Sequence, residues 1–183
     1  MNRIVLAVVG VLTVSVSAQA QTPAETIALA IDASLLRFGG DATLIRWNAD
    51  YTYETVNQGN NSVVCYDRSD ERDRSPFSAQ CTSLANLDRV GQNRRFRAET
   101  TDTAGETAMI MAAEEAGTRV LPEYGSLWLR MDGSDQASAL LHATIAVPSA
   151  TTRSTGLPED RTLGGVWIME AGTSAAHIMI PGR

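Results

Sequence analysis

The N-terminal twenty residues have the three-part pattern of a secretory signal peptide, which sets the length and the environment of the part that folds. Asn2-Arg3 is a short positive start, residues 4–16 are an apolar core, and Ala18-Gln19-Ala20 matches an A-x-A cleavage site. No later apolar run approaches the ~20 residues that a membrane-spanning helix needs. We therefore expect an exported protein, periplasmic or secreted, whose mature chain of residues 21–183 is a single domain without a transmembrane segment.

Export also predicts the state of the only two cysteines, Cys65 and Cys81. Exported proteins meet an oxidising environment in which thiols pair. A bridge between these two would close a loop of about 15 residues and would stabilise the fold by ~3 kcal/mol in the chain-entropy model. We predict this disulfide. Two buried free thiols are the alternative, and a zinc site is disfavoured because the chain lacks paired C-x-x-C motifs.

The basic residues exclude several classes of enzyme, because all 15 of them are arginine. A P-loop needs a lysine for the phosphates, and Schiff-base or pyridoxal chemistry needs an amine. The penicillin-recognising S-x-x-K motif is absent for the same reason. The net charge of −6 on an exported chain also argues against a nucleic-acid partner.

The hydrophobic pattern predicts an α+β fold. A capping box at Thr22-Pro23-Ala24-Glu25 precedes apolar residues at helical spacing, which predicts a helix over residues 22–38. Alternating β-branched and aromatic residues predict three strands in an antiparallel meander, at residues 42–48, 51–56 and 62–66.

The second half of the chain continues this α+β pattern. Residues 82–117 have a helical pattern that Gly91 and Gly105 divide, with a possible loop over 91–104. Four more strands are predicted at residues 124–131, 139–147, 165–169 and 176–180. The expected architecture is an antiparallel sheet of about six or seven strands, with the N-terminal helix and the central helical segment packed on it.

The C-terminal strand carries the most specific motif in the chain. Ala171-Gly172-Thr173 followed by Ala176-His177-Ile178-Met179-Ile180-Pro181 resembles the end of a family of small exported bacterial proteins of no established function. The segment from His142 to Pro148 resembles their histidine-containing strand, and Gly59-Asn60-Asn61 before Cys65 resembles their Gly-Thr-Asn turn. This chain has Glu170 where the family has an aromatic residue, and Ser174-Ala175 where it has Pro-Tyr. The resemblance implies an exported α+β domain and assigns no catalytic residues.

The two histidines, His142 and His177, each interrupt an aliphatic strand. We predict that both strands lie in one sheet, and side-chain alternation puts each histidine on the less apolar face of its strand. With Glu170, Asp132 or Asp135 they could bind a metal or supply a general base. The alternative is two half-buried strand histidines that bond to backbone groups, since no H-x-x-x-H spacing is present.

Serine nucleophiles and a calcium loop are weakly indicated. Ser126 and Ser174 are candidates by proximity only, because no G-x-S-x-G motif occurs. Residues 67–78 alternate carboxylates and arginines, but Arg72 and Ser78 stand where an EF-hand needs Gly and Glu. We interpret this segment as a solvated, self-paired loop.

One basic cluster surrounds Phe96 and consists of Arg89, Arg94, Arg95 and Arg97. It could bind an anionic lipid headgroup, a polysaccharide or peptidoglycan carboxylates. The alternative is a helix or loop face balanced by Asp88 and Glu99.

These features favour a non-catalytic exported domain that binds an unidentified small ligand or a component of the cell envelope. The alternative hypothesis is a periplasmic metal-assisted enzyme that uses His142 and His177. The sequence identifies no cofactor.

Overall fold

The computed structural model describes residues 41–180, whose strands all belong to one eight-stranded sheet. The helix expected over residues 22–38 and the signal peptide lie outside these residues. The strands are β1 (Thr43–Trp47), β2 (Tyr53–Asn57), β3 (Val63–Asp67), β4 (Phe77–Ser83), β5 (Leu127–Gly133), β6 (Leu140–Ala146), β7 (Trp167–Met169) and β8 (His177–Ile180). Their order across the sheet is β2-β1-β3-β4-β5-β6-β8-β7. The fold is therefore mixed α+β with a mostly antiparallel sheet, which has more strands than the six or seven expected.

The antiparallel meander predicted for the first three strands is wrong. β2 pairs with β1 in antiparallel fashion, but β3 pairs with β1 in parallel and does not pair with β2. The connection between β2 and β3 crosses the start of β1, where the backbone N–H groups of Asn60 and Asn61 donate to the Asp41 carbonyl at 3.0 and 3.3 Å. A Cβ atom at Gly59 would lie 2.2 Å from that same oxygen, so this crossing requires glycine.

The central helical segment forms two helices, α1 (Leu87–Ala98) and α2 (Thr103–Glu115), preceded by a 3₁₀ turn at Leu84–Asn86. The prediction that Gly91 divides the helices is wrong, because Gly91 lies inside α1. A Cβ atom there would lie 3.2 Å from the Tyr51 carbonyl oxygen and 3.5 Å from the Trp47 ring, so glycine lets α1 pack closely on the β1–β2 hairpin.

The break between the two helices falls instead at residues 99–102. Asp102 ends this break, and its side chain accepts a hydrogen bond from the Gly105 backbone N–H at 2.8 Å. That bond is an N-terminal cap, which satisfies a backbone donor that the helix leaves unpaired. A short helix, α3 (Thr152–Thr155), and a 3₁₀ turn at Arg161–Leu163 follow β6.

Both faces of the sheet are covered. On one face, Leu87 and Val90 of α1 belong to a cluster of buried residues that includes Ile45, Val64 and Tyr66 of β1 and β3. On the other face, near the β7 edge, the segment after β6 contributes Val147 and Ala150 to a second cluster with Ile168. Among residues 41–180, no helix has both the length and the apolar character needed to cross a bilayer.

The predicted disulfide is confirmed. Cys65 of β3 lies directly opposite Cys81 of β4, and their sulfur atoms are bonded. Cys81 lies within a strand, because β4 begins at Phe77 inside the segment interpreted as a loop. The bridge joins the two strands that flank the charged segment.

That charged segment pairs within itself, as interpreted, and keeps exposed residues such as Asp70 and Asp73, but its central pair of Arg68 and Glu71 is buried. The Glu71 side chain is 4% exposed and contacts four guanidinium groups, those of Arg68, Arg74, Arg94 and Arg97. Two of these arginines come from α1, so the segment docks on the helix. Two members of the basic cluster, Arg94 and Arg97, therefore neutralise carboxylates of the acidic loop, and no ion pair of the cluster with Asp88 or Glu99 is seen among residues 41–180.

Candidate functional site

A cavity of about 190 Å³ lies between α1 and the sheet. Its floor comes from four neighbouring strands, with Trp128 of β5 opposite Thr144 of β6 and Ala146 of β6 opposite His177 of β8. Directly paired residues point to the same face of a sheet, so these side chains form one continuous surface. Gln80 of β4 completes the floor.

The roof of the cavity is formed by Arg89 and Asn93, which are four residues apart on α1 and therefore share one helix face. Arg89 is only 5% exposed. Its one hydrogen bond to another described residue goes from Nη1 to the Val120 carbonyl, and it makes no ion pair with a carboxylate of residues 41–180.

Among residues 41–180, Arg89 is a cation without a direct counterion. Burial lowers the pKa of Arg89 to about 10 and the nearby Arg119 adds to this effect, while Glu114 and Glu170 act in the opposite direction. The guanidinium is still protonated at neutral pH. Because a buried charge is costly unless it is paired, this site is suited to an anion supplied from outside the chain.

Two amide side chains add hydrogen-bond donors to the cavity. The Oδ1 atom of Asn93 accepts a bond from Arg119 at 2.6 Å, and the Oε1 atom of Gln80 accepts one from the Tyr66 hydroxyl at 3.0 Å. Each bond uses the carbonyl end of the amide and leaves its NH₂ group available. The cavity therefore offers a guanidinium and two amide donors around a small space.

His177 and Glu170 supply the acceptors. The Nδ1 atom of His177 lies 2.7 Å from the Ala175 carbonyl oxygen, which can only accept, so Nδ1 carries a proton and Nε2 is left for a ligand. Glu170 lines the same cavity at an exposed position just after β7. The arrangement can bind a small polar molecule, with donors from Arg89 and Asn93 of α1 and Gln80 of β4, and acceptors from His177 of β8 and from Glu170 after β7.

The predicted pairing of the two histidine strands is confirmed, because β6 and β8 are antiparallel neighbours. His142 and His177 lie on the same face, as expected. His177 pairs with Ala146, four residues along β6 from His142, a separation of about 13 Å at the usual rise per strand residue. His142 does not line the cavity. Both faces of the chain at β8 are covered in part, since Met179 beside His177 is 7% exposed and Ala176 on the opposite face is 1% exposed.

Metal binding by the two histidines stays a prediction. Burial lowers the pKa of His142, helped by Arg130 and His177 and opposed by Asp132. Asp132 accepts a bond from the Ser78 hydroxyl at 2.6 Å and Asp135 bonds to Ser138, so neither candidate co-ligand is free. Within residues 41–180, no group of three or more His, Cys, Asp or Glu side chains has the arrangement of a metal site.

Neither candidate serine is hydrogen-bonded to a histidine among the described residues. The Ser126 hydroxyl donates to the Glu123 carbonyl at 2.6 Å and accepts from Asn86. The Ser174 hydroxyl donates to the Glu114 carboxylate. Both hydroxyls therefore hold structural contacts in this arrangement.

A larger cleft of about 470 Å³ lies on the opposite side of α1, against the β1–β2 hairpin. The charged side chains that line it, Asp50, Asp88 and Arg95, are all exposed to water. Exposed charges need no ligand to compensate them. The smaller cavity is the better candidate site because its cation is buried.

Sequence reasoning included Arg89 in a surface cluster and did not identify it as part of a site. The structure separates this cluster, because Arg94 and Arg97 pair with Asp70, Glu71 and Glu106 while Arg89 makes no such pair. The sequence feature that could have pointed to Arg89 is its position in the helix. Arg89 lies between Leu87 and Val90, both core residues of an amphipathic helix, and a charged residue near a core face is informative.

No protein-family model, curated protein or solved structure matches this chain.

Proposed function

We propose that this chain is a non-catalytic exported protein whose cavity beneath α1 binds a small molecule bearing a carboxylate or a comparable anionic group. The observation that carries this proposal is the buried Arg89 guanidinium, which lines the cavity and lacks a carboxylate partner within residues 41–180. The signal-peptide pattern, the disulfide and the resemblance to small exported bacterial proteins support export. A component of the cell envelope would bind only by placing a terminal group of matching size in this cavity.

The volume of the cavity limits the part of a ligand that it can enclose. A cavity of 150 Å³ holds benzene, and drug-sized ligands occupy about 300–1,000 Å³. A cavity of about 190 Å³ therefore suits a ligand of roughly five to ten non-hydrogen atoms.

Calorimetry on the purified protein tests this proposal with small carboxylates, amino acids included, each compared with its own amide. We expect at least one carboxylate to bind, and its amide to bind about tenfold or more weakly, because a hydrogen bond to a charged group contributes more than a neutral one. Equal binding of every acid and its amide, or no binding by any acid, would contradict the proposal.

The matched variants Arg89→Met and Arg94→Met separate a binding role of Arg89 from a structural one. Both arginines lie on α1 and are buried, but Arg94 is paired with Asp70 and Glu71. Arg89→Met should abolish binding and leave the free energy of unfolding within about 1 kcal/mol of wild type or higher, because it removes an unpaired buried charge. Arg94→Met should cost about 1.5–3 kcal/mol, because Glu71 loses one of its four guanidinium partners. If both variants lose equal stability in urea, Arg89 is structural.

A further inference from the structure

The cavity carries two opposite charges that do not pair with each other. Arg89 lies in the roof and Glu170 lies directly after the edge strand β7, and no ion pair joins them. The Glu170 carboxylate makes no hydrogen bond or ion pair with any residue from 41 to 180. Both groups are therefore available to one ligand in the same small space.

The backbone of Glu170 is held in an unusual conformation. Its φ angle is 53°, in the left-handed region that a long side chain seldom adopts. The backbone N–H and the hydroxyl of Thr173 both donate to the Glu170 carbonyl, at 3.1 and 2.8 Å, and hold the turn in place. Strained residues of this kind concentrate at ligand clamps and active sites.

We propose that the ligand is a small zwitterion, an α-amino acid or a close analogue, whose carboxylate binds Arg89 and Asn93 and whose ammonium group binds Glu170. This inference rests on the proposed function, and it adds the positive end of the ligand. A simple monoanion would bring a second negative charge towards Glu170, which costs binding energy inside a partly closed site. A molecule with both charges satisfies Arg89 and Glu170 together.

The remaining walls of the cavity determine which side chain this amino acid can carry. Trp128, Pro122 and Ala146 give an apolar surface beside the charged groups. A cavity of about 190 Å³ leaves space beyond an amino and a carboxyl group for only a few carbon atoms. We expect glycine, alanine and valine to be closer to the natural ligand than long or charged amino acids.

Calorimetry distinguishes the zwitterion from an ordinary anion with pairs that differ only in the amino group. Glycine, alanine and valine are compared with acetate, propionate and 3-methylbutanoate, and ethylamine tests the ammonium group without a carboxylate. We expect the preferred amino acid to bind about tenfold or more tightly than its deamino partner, because it adds a charged hydrogen bond. Ethylamine should not bind measurably.

The variant Glu170→Gln should remove this preference without preventing folding, because glutamine has the same shape and the position is exposed. Glu115→Gln on α2 is the matched control, since Glu115 is exposed and does not line the cavity. This control should bind as the wild type does. Equal binding of amino acids and deamino acids, unchanged in Glu170→Gln, would overturn the zwitterion while leaving the anion site intact. No binding by any carboxylate would overturn both.

Discussion

At the scale of single residues, Glu71 organises the largest set of charges in the described chain. Burial acts to raise the pKa of this carboxyl group, but hydrogen bonds from Arg68 and the charges of Arg68, Arg97 and Arg94 outweigh it and lower the pKa to about 2. The bonds from Arg68 and Arg94 are 2.8–3.0 Å long. This carboxylate therefore joins the loop after β3 to α1.

Acid should unfold the protein partly through Glu71. A folded-state pKa of about 2 against an ordinary 4.5 means that this group stabilises the fold fully above pH 4.5, and that the contribution disappears as the pH falls towards 2. The linked contribution is on the order of 3 kcal/mol. Urea unfolding at a series of pH values should show this loss in the wild type.

The variant Glu71→Gln isolates that contribution. It should lose about 3–5 kcal/mol at neutral pH, because four arginines lose their shared counterion. Its stability should then depend less on pH below 4.5 than that of the wild type, whereas Glu115→Gln should keep the full dependence. Parallel pH profiles for the wild type and Glu71→Gln would contradict this account.

At the scale of secondary structure, the crossing of β1 by the β2–β3 connection depends on Gly59. A side chain there would collide with backbone atoms of residues 41–43, which cannot move without displacing the start of β1. Gly59→Ala should therefore destabilise the protein by about 3 kcal/mol or more, beyond the usual cost of overpacking. Urea denaturation measures this cost.

Gly91→Ala is the control for that substitution. Its new methyl group would lie 3.2 Å from the Tyr51 carbonyl oxygen, a tight contact that needs a shift of a few tenths of an ångström, and this cost opposes the preference of about 1 kcal/mol for alanine over glycine in a helix. The net change should be close to zero. If the two variants lose similar stability, the β2–β3 crossing does not need glycine.

The elements that the sequence predicted well are those that one local pattern determines. The alternation of apolar and less apolar residues predicted the strands around residues 140–146 and 177–180. Side chains on one face of a strand recur at every second residue, so an apolar face produces this pattern. The parallel pairing of β1 with β3 was not predictable in this way, because alternation says nothing about which strands are neighbours. The end of α1 was misplaced because Gly91 was interpreted as a helix breaker, although its role is to allow close packing.

The candidate site was predictable only in part. His177 attracted attention because a polar residue in an aliphatic strand is unusual, and the structure does place it at the cavity. The position of Arg89 beside core residues indicates burial, but the sequence could not show that Arg89, unlike Arg94 and Arg97, lacks a carboxylate partner, since this depends on whether a distant loop reaches it. This difference depends on the tertiary fold, so the spacing of residues within α1 does not reveal it.

At the scale of the whole molecule, all 15 lysine or arginine positions are arginine, and the chemistry of the guanidinium group suits the buried charged contacts of this fold. The guanidinium group binds carboxylates through two parallel hydrogen bonds and tolerates burial better than an ammonium group. Arg68 binds Glu71 in this way within the loop after β3, and Arg94 of the helix that roofs the cavity bonds to both Glu71 and Asp70, which connects the loop with the helix. The disulfide between β3 and β4 ties the base of the same loop. The loop, α1 and the cavity therefore form one connected unit.

The last prediction concerns export, because the proposed signal peptide and the disulfide depend on the same compartment. Produced with its full sequence in a bacterium that exports proteins, the protein should be recovered outside the cytosol with Gln21 as its first residue, as N-terminal sequencing would show. Alkylation under denaturing conditions without reductant should find no free thiol.

The same chain begun at Gln21 and kept in the cytosol should carry two free thiols, because that compartment is reducing. It should be less stable by about 3 kcal/mol until it is oxidised, since closing a loop of this length limits the unfolded chain. A cytosolic product that retains residues 1–20 would contradict the export hypothesis, and free thiols in the exported protein would contradict the disulfide.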